Sequence, residues 1–267
     1  MLFILILREV FMNKTLKSRL LKNEFTLGSW ITIGNQDVAE IMARANFDWL
    51  VVDLEHSSIS IDMAANLIRV IELSGVTPLV RLTSNNSNQI KRVMDAGAHG
   101  IIVPMVNSAK DAELAVASTR YAPKGIRGVG LARAQGYGAN FKEYLDWQSS
   151  ESIVIVQIEH VNAIDNLEDI LNTEGVDGFI IGPYDLSCSM GIPGNFDDKD
   201  FIDTLKHILD VGKNISIPAG IHLVEPDINL LEESKKDGYN FIAYSVDIRM
   251  LDVGCRDPFL KVQSQNS

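Results

Sequence analysis

Two carboxylates of this sequence stand just after apolar runs, where packing gives no reason for a charge. Glu159 follows IVIVQI, and Asp185 follows GFIIGPY. If these runs are neighbouring parallel strands, about 4.8 Å apart, both carboxylates can bind one divalent cation. Oxygen ligands favour Mg²⁺ or Mn²⁺, whereas His160 and His222 keep Zn²⁺ or Co²⁺ open. The structural alternative is that Asp185 caps a helix and Glu159 forms a salt bridge at the rim of the sheet.

A histidine and an arginine make a second candidate group. His56 lies in DLEH, where a neighbouring carboxylate can fix the tautomer of its ring and raise its basicity, so His56 is the candidate base. Arg81 ends the apolar run PLVR, and a buried guanidinium can bind a substrate carboxylate or a developing enolate oxygen. The alternatives are an exposed loop histidine and an internal ion pair of Arg81 with Asp53 or Glu55.

The sequence gives little support for a Schiff-base lysine, a dinucleotide cofactor or a phosphorylated substrate. No lysine ends an apolar run, although Schiff-base aldolases carry their amine on a strand facing the pocket. A carbanion formed here would therefore be stabilised by a metal ion. The Gly-rich GIRGVG and GYG do not connect a strand to a helix as a dinucleotide site requires. The segments VEPD and DIRML, which follow the last two apolar runs, contain no glycine and argue against a phosphorylated substrate.

Eight apolar runs rich in β-branched residues alternate with segments of helical periodicity, which predicts βα units around a parallel sheet. The predicted strands span residues 26–33, 47–54, 77–82, 100–106, 153–159, 178–183, 218–223 and 241–246. Gly75, Gly97 and Gly175 end predicted helices, as left-handed glycines commonly do. Eight strands predict a (β/α)8 barrel, whose catalytic side chains would lie at the C-terminal ends of the strands. The long connection 121–151 is predicted to be an active-site flap.

The composition fits an enzyme with a small-molecule substrate. The 267 residues carry a formal charge of −11, and no Lys/Arg cluster follows residue 22, which argues against nucleic acid. Cys188 and Cys255 are too few and too distant for a disulfide framework, which favours a reducing compartment, the cytoplasm. The apolar run 2–7 is shorter than the roughly 7–15 residues of a secretory signal. We expect no membrane partner.

The chain is predicted to form one folded domain. It shows no repeat, low-complexity tract or interdomain linker. We divide it into an N-terminal extension and helix, residues 1–24, and a single barrel domain, residues 25–267. The amphipathic opening MNKTLKSRLLKNE also suggests that translation begins at Met12.

Seven motifs, in this order and spacing, resemble the class II pyruvate aldolases of the HpcH/HpaI family. They are VVDLEHS, PLVRL, QIKRVMDAG, IIVPMV, KGIRGVG, VQIEH and GPYDLSCSMG. The sequence is similar to 4-hydroxy-2-oxoheptanedioate and 2-dehydro-3-deoxyglucarate aldolases over residues 25–250. The resemblance implies a (β/α)8 TIM barrel whose last helix is exchanged between the subunits of a dimer, with dimers assembled into a hexamer.

The resemblance also implies roles for individual residues. It makes Glu159 and Asp185 the metal ligands, Arg81 the anchor of substrate and enolate, and His56 the acid/base. Asp53 and, less directly, Asp95 would position or polarise His56; Gln157 would lie beside the metal; and the backbone amides of Tyr184 and Asp185 would hold the substrate carboxylate. Leu54 and Tyr184 are bulkier than the family's usual residues, which would reshape the pocket.

The implied reaction is the reversible cleavage of a 4-hydroxy-2-oxo acid to pyruvate and an aldehyde through a metal-stabilised enolate. An enzyme that catalyses this reaction is an aldehyde-lyase. One alternative is a citrate-lyase-like enzyme acting on an acyl-CoA thioester, for which the loops offer mainly Arg127 and Arg133. Others are a related carbon–carbon enzyme using oxaloacetate and a non-catalytic metabolite-binding protein.

Overall fold

A closed barrel of eight parallel strands forms the centre of the protein in a computed structural model that describes residues 15–264. The strands are β1 (Thr26–Ile31), β2 (Trp49–Asp53), β3 (Thr77–Arg81), β4 (Gly100–Val103), β5 (Ile153–Ile158), β6 (Gly178–Ile181), β7 (Ala219–Leu223) and β8 (Phe241–Val246). Each strand pairs with its neighbours in sequence, and β8 pairs with β1. The predicted (β/α)8 architecture is confirmed. The suggested start at Met12 lies outside the described residues.

Helices surround the barrel and connect its strands. They are α1 (Leu16–Leu20), α2 (Gln36–Ala43), α3 (Ile61–Leu73), α4 (Ser87–Asp95), α5 (Ala109–Thr119), α6 (Phe141–Ser150), α7 (Val161–Asp165), α8 (Leu167–Leu171), α9 (Pro183–Ser189), α10 (Lys199–Ile215), α11 (Ile228–Asp237) and α12 (Asp247–Ser264). Gly75 and Gly97 follow α3 and α4 with φ of 84° and 104°, so these two predicted left-handed helix ends are confirmed. Gly175 also has a positive φ, 94°, but it lies beyond the end of α8 at Leu171. Across residues 15–264, no helix has the length and apolarity needed to cross a bilayer.

Side chains alternate between two hydrophobic cores, because successive residues of a strand point to opposite faces. On β2, Trp49 and Val51 belong to the core inside the barrel, whereas Leu50 and Val52 belong to the core between barrel and helices. The next inward position is Asp53. The same alternation that fills the barrel therefore delivers polar side chains to its C-terminal mouth.

Helix α1 closes the N-terminal end of the barrel. Leu16 and Leu20 join the interior core, where Trp49 stacks on Phe241 with ring centroids 4.1 Å apart. Buried Lys17 forms an ion pair with Asp177 and donates a hydrogen bond to the carbonyl oxygen of Ser152 at 3.0 Å. Helix α1 is thus packed as part of the barrel's base.

The long segment 121–151 does not cover the mouth of its own barrel, so the predicted active-site flap is wrong for a single chain. The segment follows α5 and precedes β5, which places it at the N-terminal ends of the strands. It contains a short 3₁₀ helix (Arg133–Gly138) and α6. Arg133 forms an ion pair with Glu72 at the end of α3, which secures the segment there.

Candidate active site

A cavity of about 180 Å³ opens at the C-terminal mouth of the barrel. Its lining includes Trp30, His56, Arg81, Gln157, Tyr184, Asp185 and His222. These side chains come from β1, β3, β5 and β7, from the loop after β2 and from the first turn of α9, which follows β6. Polar groups distant in sequence thus converge where barrel enzymes carry out catalysis.

A larger cavity of about 700 Å³ lies beside the mouth, between α10 and α11. It is lined mainly by apolar side chains such as Phe201, Leu205 and Leu209, and it shares Tyr184 and His222 with the smaller cavity. We place the chemistry in the smaller cavity because the charged groups converge there, whereas volume alone says nothing about reactivity.

Arg81 is held by two acidic residues at the base of the cavity. Its Nε and Nη2 atoms donate to the two carboxylate oxygens of Asp53, each at 2.8 Å, and Nη1 lies 3.0 Å from a carboxylate oxygen of Glu55. Burial acts to lower the pKa of Arg81, but the hydrogen bonds and charge of Asp53 and the charges of Glu55 and Glu159 outweigh it and raise this pKa. Arg81 is a fixed cation that lines the cavity. It also forms the internal ion pairs with Asp53 and Glu55 that were the structural alternative to ligand binding.

Glu159 is buried just beyond the end of β5. One of its oxygens accepts a hydrogen bond from the backbone amide of Met105 at 2.7 Å, and the other accepts from the side-chain amide of Gln157. Met105 has a φ of 54°, in the left-handed region. Burial, together with the charges of Glu55 and Asp185, raises the pKa of Glu159 to about 7. The fold thus holds this carboxylate in an environment that favours proton or cation binding.

Asp185 lies in the first turn of α9 and lines the cavity. Gly182 and Pro183 precede it, and a proline suits the first position of a helix because it lacks an amide hydrogen. The carboxylate of Asp185 makes no hydrogen bond or ion pair with any other residue between 15 and 264. The proposed capping role is therefore not seen, and the carboxylate is available to a ligand.

The chemistry of these groups fits a divalent cation. Asp53, Glu55, Glu159 and Asp185 lie in or beneath the cavity, and Arg81 is the one permanent cation among the described lining residues. The side-chain oxygen of Gln157 is buried without a hydrogen-bond partner in the part of the chain that the structure describes. No group of three or more His, Cys, Asp and Glu side chains suited to a metal occurs in residues 15–264. A metal ion held by only two carboxylates of the protein would leave several coordination positions to substrate and water, as Mg²⁺ sites commonly do.

His56 lies at the rim of the cavity with most of its side chain exposed. Its Nε2 atom is 4.0 Å from a carboxylate oxygen of Glu55. Asp53 accepts hydrogen bonds from the backbone amides of Glu55 and His56, at 3.0 Å and 3.4 Å. Asp53 therefore fixes the loop that carries His56, and the carboxylate nearest the imidazole ring belongs to Glu55, its neighbour in DLEH.

Asp95 is not brought to His56 by the fold of one chain. It is the last residue of α4 and forms an ion pair with Arg127. Helices of a barrel end near the N-terminal ends of the strands, whereas His56 follows β2 at the C-terminal end. Within one chain, therefore, Asp95 does not position His56, and its predicted role there stays a prediction.

Trp30 and His222 were missed as a pair by the sequence analysis. Their rings stack with centroids 4.5 Å apart and an interplanar angle of 14°. His222 Nε2 lies 3.2 Å from the carbonyl oxygen of Ser245, and burial, with the charge of Arg81, lowers the pKa of His222 to about 4. The alternation Gly28, Trp30 in β1 was the available signal, since it points Trp30 into the barrel.

The fold and the site define a (β/α)8-barrel enzyme with an acidic, oxygen-rich mouth suited to a divalent metal ion. Residues 26–252 match the family described as HpcH/HpaI aldolase/citrate lyase, and the chain belongs to this family. The resemblance found in the sequence motifs is confirmed.

The chain is similar to known proteins over nearly its whole length. The hydroxypyruvate/pyruvate aldolase of Sagittula stellata is 36% identical over 236 residues, covering 88% of this chain and 92% of the relative. The 5-keto-4-deoxy-D-glucarate aldolase of Escherichia coli is 34% identical over 241 residues, covering 90% and 93%. The crystal structure of an HpcH/HpaI aldolase/citrate lyase family protein from Burkholderia cenocepacia superposes with a TM-score of 0.88 at 31% identity, covering 93% and 98%. The chain is an enzyme, an aldolase of the lyase class, and a divalent metal ion is expected in it.

Proposed function

We propose that this enzyme reversibly cleaves a 4-hydroxy-2-oxo acid into pyruvate and an aldehyde. The observation that carries the proposal is the free carboxylate of Asp185 in the same cavity as Arg81, beside the buried carboxylate of Glu159. The matched relatives are named for different acids, and what they share is the name aldolase. This supports aldol chemistry over the thioester and oxaloacetate alternatives.

The metal ligands in this proposal are Glu159 and Asp185, and the ion is Mg²⁺ or Mn²⁺. The two histidines that would favour zinc or cobalt are not among these ligands: His160 Nδ1 accepts a hydrogen bond from the amide of Asn162, and His222 Nε2 lies 3.2 Å from the carbonyl oxygen of Ser245. An all-oxygen donor set suits Mg²⁺ and Mn²⁺. When bound, the ion supplies Lewis-acid polarisation of the 2-oxo group.

Arg81 and the first turn of α9 hold the acid end of the substrate. The guanidinium of Arg81 stabilises the negative charge that develops on the 2-oxo oxygen, because it is held in place before the reaction begins. The backbone amides of Tyr184 and Asp185 lie in the first turn of α9, where amides have no partner within the helix. These amides bind the substrate carboxylate, and Gln157 lies beside the ligand Glu159.

His56 moves the proton in the proposed step. Its imidazole removes the proton from the 4-hydroxyl group, the C3–C4 bond breaks, and C4 leaves as the aldehyde. The electron pair of the broken bond passes to the three-carbon fragment, where Arg81 stabilises the charge until C3 is protonated to give pyruvate. Asp53 positions both residues, since it binds the guanidinium of Arg81 and the backbone amide of His56.

The thioester alternative is disfavoured by the location of its two candidate arginines. Recognition of a nucleotide phosphate would need cations near the mouth. Arg127 forms an ion pair with Asp95, and Arg133 forms one with Glu72, both at the N-terminal end of the barrel. Within one chain, neither is placed to bind a nucleotide at the active site.

We further propose a homo-oligomer built from dimers that exchange α12, as in a dimer-based hexamer. Helix α12 exposes several large apolar side chains, including Leu251, Phe259 and Leu260. An apolar helix face of this kind favours burial against a second copy. Light scattering on the purified protein tests the assembly, and a monomer at micromolar concentration would overturn it.

The proposed location of the enzyme is the cytoplasm. Cys188 and Cys255 are free and exposed, which suits a reducing compartment.

The decisive experiment is hydrogen–deuterium exchange at C3 of pyruvate, followed by NMR with Mg²⁺ or Mn²⁺ and with chelator. Metal-dependent exchange is expected, because exchange reports carbanion formation without requiring the aldehyde. Asp185→Asn should abolish exchange, and Asp200→Asn, an exposed aspartate of α10, should not. Absence of exchange in the wild type with every divalent ion would overturn the proposed reaction. Unchanged exchange in Asp185→Asn would overturn its assignment as a ligand.

A further inference from the structure

The large cavity between α10 and α11 contains two buried hydroxyl groups that the proposed reaction does not use. Its volume of about 700 Å³ is that of a small-molecule site. Ser234 and Tyr239 line it, and each is 5% exposed. Neither hydroxyl makes a hydrogen bond with another residue between 15 and 264, and neither is completely sealed. Unpaired polar groups in a protein interior cost free energy, so these two call for a ligand that bonds them.

The C-terminal end of α11 brings the two hydroxyl-bearing residues together. Helix α11 ends at Asp237, and Gly238 follows with a φ of 111°. This left-handed turn allows the amide of Tyr239 to donate a hydrogen bond to the carbonyl oxygen of Ser234 at 3.1 Å. Helices of a barrel run opposite to its strands, so this polar end of the cavity lies toward the base of the barrel, away from the catalytic mouth.

The rest of the cavity is an apolar groove along the outer wall of the barrel. Phe201, Leu205 and Leu209 recur at every fourth residue and form one row on α10. Ile221 and Leu223 contribute the outward face of β7. The row on α10 spans about 12 Å at the helical rise. The cavity therefore suits an elongated apolar molecule that has one polar end.

The charges near the polar end favour an uncharged ligand. Burial, together with the charge of Asp237, raises the pKa of Tyr239, so its phenol stays protonated. The same carboxylate and the C-terminal ends of α10 and α11 disfavour an anionic group. A cationic group would share the cavity with Lys206 and Lys213, and Lys213 already donates to the carbonyl oxygen of Asp237 at 3.1 Å. A hydroxyl group donates and accepts, and so can bond both unpaired hydroxyls.

We propose that this cavity is a second binding site, separate from the active site, for an uncharged, elongated apolar molecule that ends in a hydroxyl group. The hydrocarbon part packs along the row on α10, and the terminal hydroxyl exchanges hydrogen bonds with Ser234 and Tyr239. The site does not depend on the proposed aldol reaction, because neither of these residues takes part in it.

The test is isothermal titration of the full chain with n-octanol. Saturable binding is expected, and octanoate and octylammonium should bind at least tenfold more weakly, because a charged group loses its hydration on burial. Tyr239→Phe and Ser234→Ala each remove one hydroxyl and should raise the Kd for octanol about three- to tenfold, the effect of one lost hydrogen bond. Tyr137→Phe is the matched control, since Tyr137 is 72% exposed and does not line the cavity. Its Kd should equal that of the wild type.

A second pair of variants tests the apolar groove. Leu205→Trp places a larger ring in the groove and should abolish octanol binding, whereas Leu114→Trp, at an exposed position of α5, should not. If Leu205→Trp does not fold, the two hydroxyl variants carry the test.

Three results would overturn the proposal. They are absence of saturable octanol binding to the wild type, binding of octanoate or octylammonium as tight as that of octanol, and an equal Kd in wild type, Tyr239→Phe and Ser234→Ala. If a second copy of the chain covers the groove, octanol does not bind and Leu205→Trp weakens the assembly in light scattering, which also overturns it. None of these results bears on pyruvate exchange, so the proposed reaction is tested separately.

Discussion

Arg81 and Asp53 are joined by two parallel hydrogen bonds of 2.8 Å, and their Cα atoms are register partners in neighbouring strands. This pairing combines a planar fork with a planar carboxylate, the geometry in which arginine binds most specifically. The barrel therefore aligns the cation at its mouth through the same register that closes the sheet.

Replacing Asp53 should impair catalysis more than replacing Glu55. Asp53→Asn removes one of the two acceptors of the Arg81 fork and weakens the support of the loop that carries His56. We expect kcat/KM for aldol cleavage to fall by about 10²-fold, as misplacement of catalytic groups commonly costs. Glu55→Gln disturbs the single 3.0 Å contact to Nη1 and the 4.0 Å approach to the His56 ring, and it should cost about tenfold. A pyruvate-coupled assay measures both, and equal effects would contradict the role given to Asp53.

Gly182 should support metal binding although it bears no functional group. A Cβ atom at this position would lie 2.9 Å from the Oε2 atom of Glu159 and 3.1 Å from the amide nitrogen of Gln157. Gly182→Ala should therefore displace the carboxylate and weaken Mn²⁺ affinity about tenfold or more, the typical effect of disturbing groups that orient a ligand. Gly130→Ala is the matched control, because no atom lies within 4 Å of its Cβ position. Isothermal titration with Mn²⁺ measures the affinity, and equal values for the two variants would contradict the prediction.

The neutral state of His222 should make stability depend on pH. Burial, with the charge of Arg81, lowers its pKa from the usual 6.5 to about 4. Between these values the unfolded chain binds a proton that the folded chain does not, so stability is full above pH 6.5 and falls as pH decreases toward 4.

His222→Gln should remove that contribution. Between pH 7 and pH 5, the wild type should lose up to about 2 kcal/mol more unfolding free energy than the variant. Urea titrations of both proteins in chelator measure the difference, in which carboxylates that titrate in both proteins cancel. A pH dependence identical in the two proteins would refute the prediction.

The base of the barrel should depend on the buried ion pair of Lys17 with Asp177. Lys17→Ala leaves Asp177 as an unpaired buried carboxylate, although it still accepts a hydrogen bond from the amide of Val154 at 2.9 Å. We expect a loss of about 3 kcal/mol or more in unfolding free energy. The double variant Lys17→Met with Asp177→Leu should recover much of it, because no charge stays buried. Chemical denaturation measures both, and a neutral Lys17→Ala would contradict this account.

The fold could be predicted from the sequence because each strand lies in a short, mainly apolar run bounded by polar or glycine-rich segments. Period-two alternation also carried information about the site: Asp53 and Arg81 occupy the next inward positions after Val51 and Leu79. The position of a polar residue at the end of a strand was thus sufficient to place it at the mouth of the barrel.

The remaining features depend on contacts that no local pattern encodes. The support of Glu159 by the amide of Met105 arises from a left-handed backbone at a methionine, which residue type does not indicate. The segment 121–151 was predicted to cover the mouth from its length alone, without regard to the direction of the chain after α5. A connection that follows a helix returns to the start of the next strand, which places this segment at the N-terminal end of the barrel.

The contacts of Lys17 also have a consequence for synthesis on the ribosome. Its partners Ser152 and Asp177 lie 135 and 160 residues further along the chain. Because translation proceeds from the N-terminus, Lys17 is made long before Ser152 and Asp177, which bind it. The first helix among the described residues therefore completes its contacts, and the base of the barrel closes, only after more than half of the polypeptide has been made.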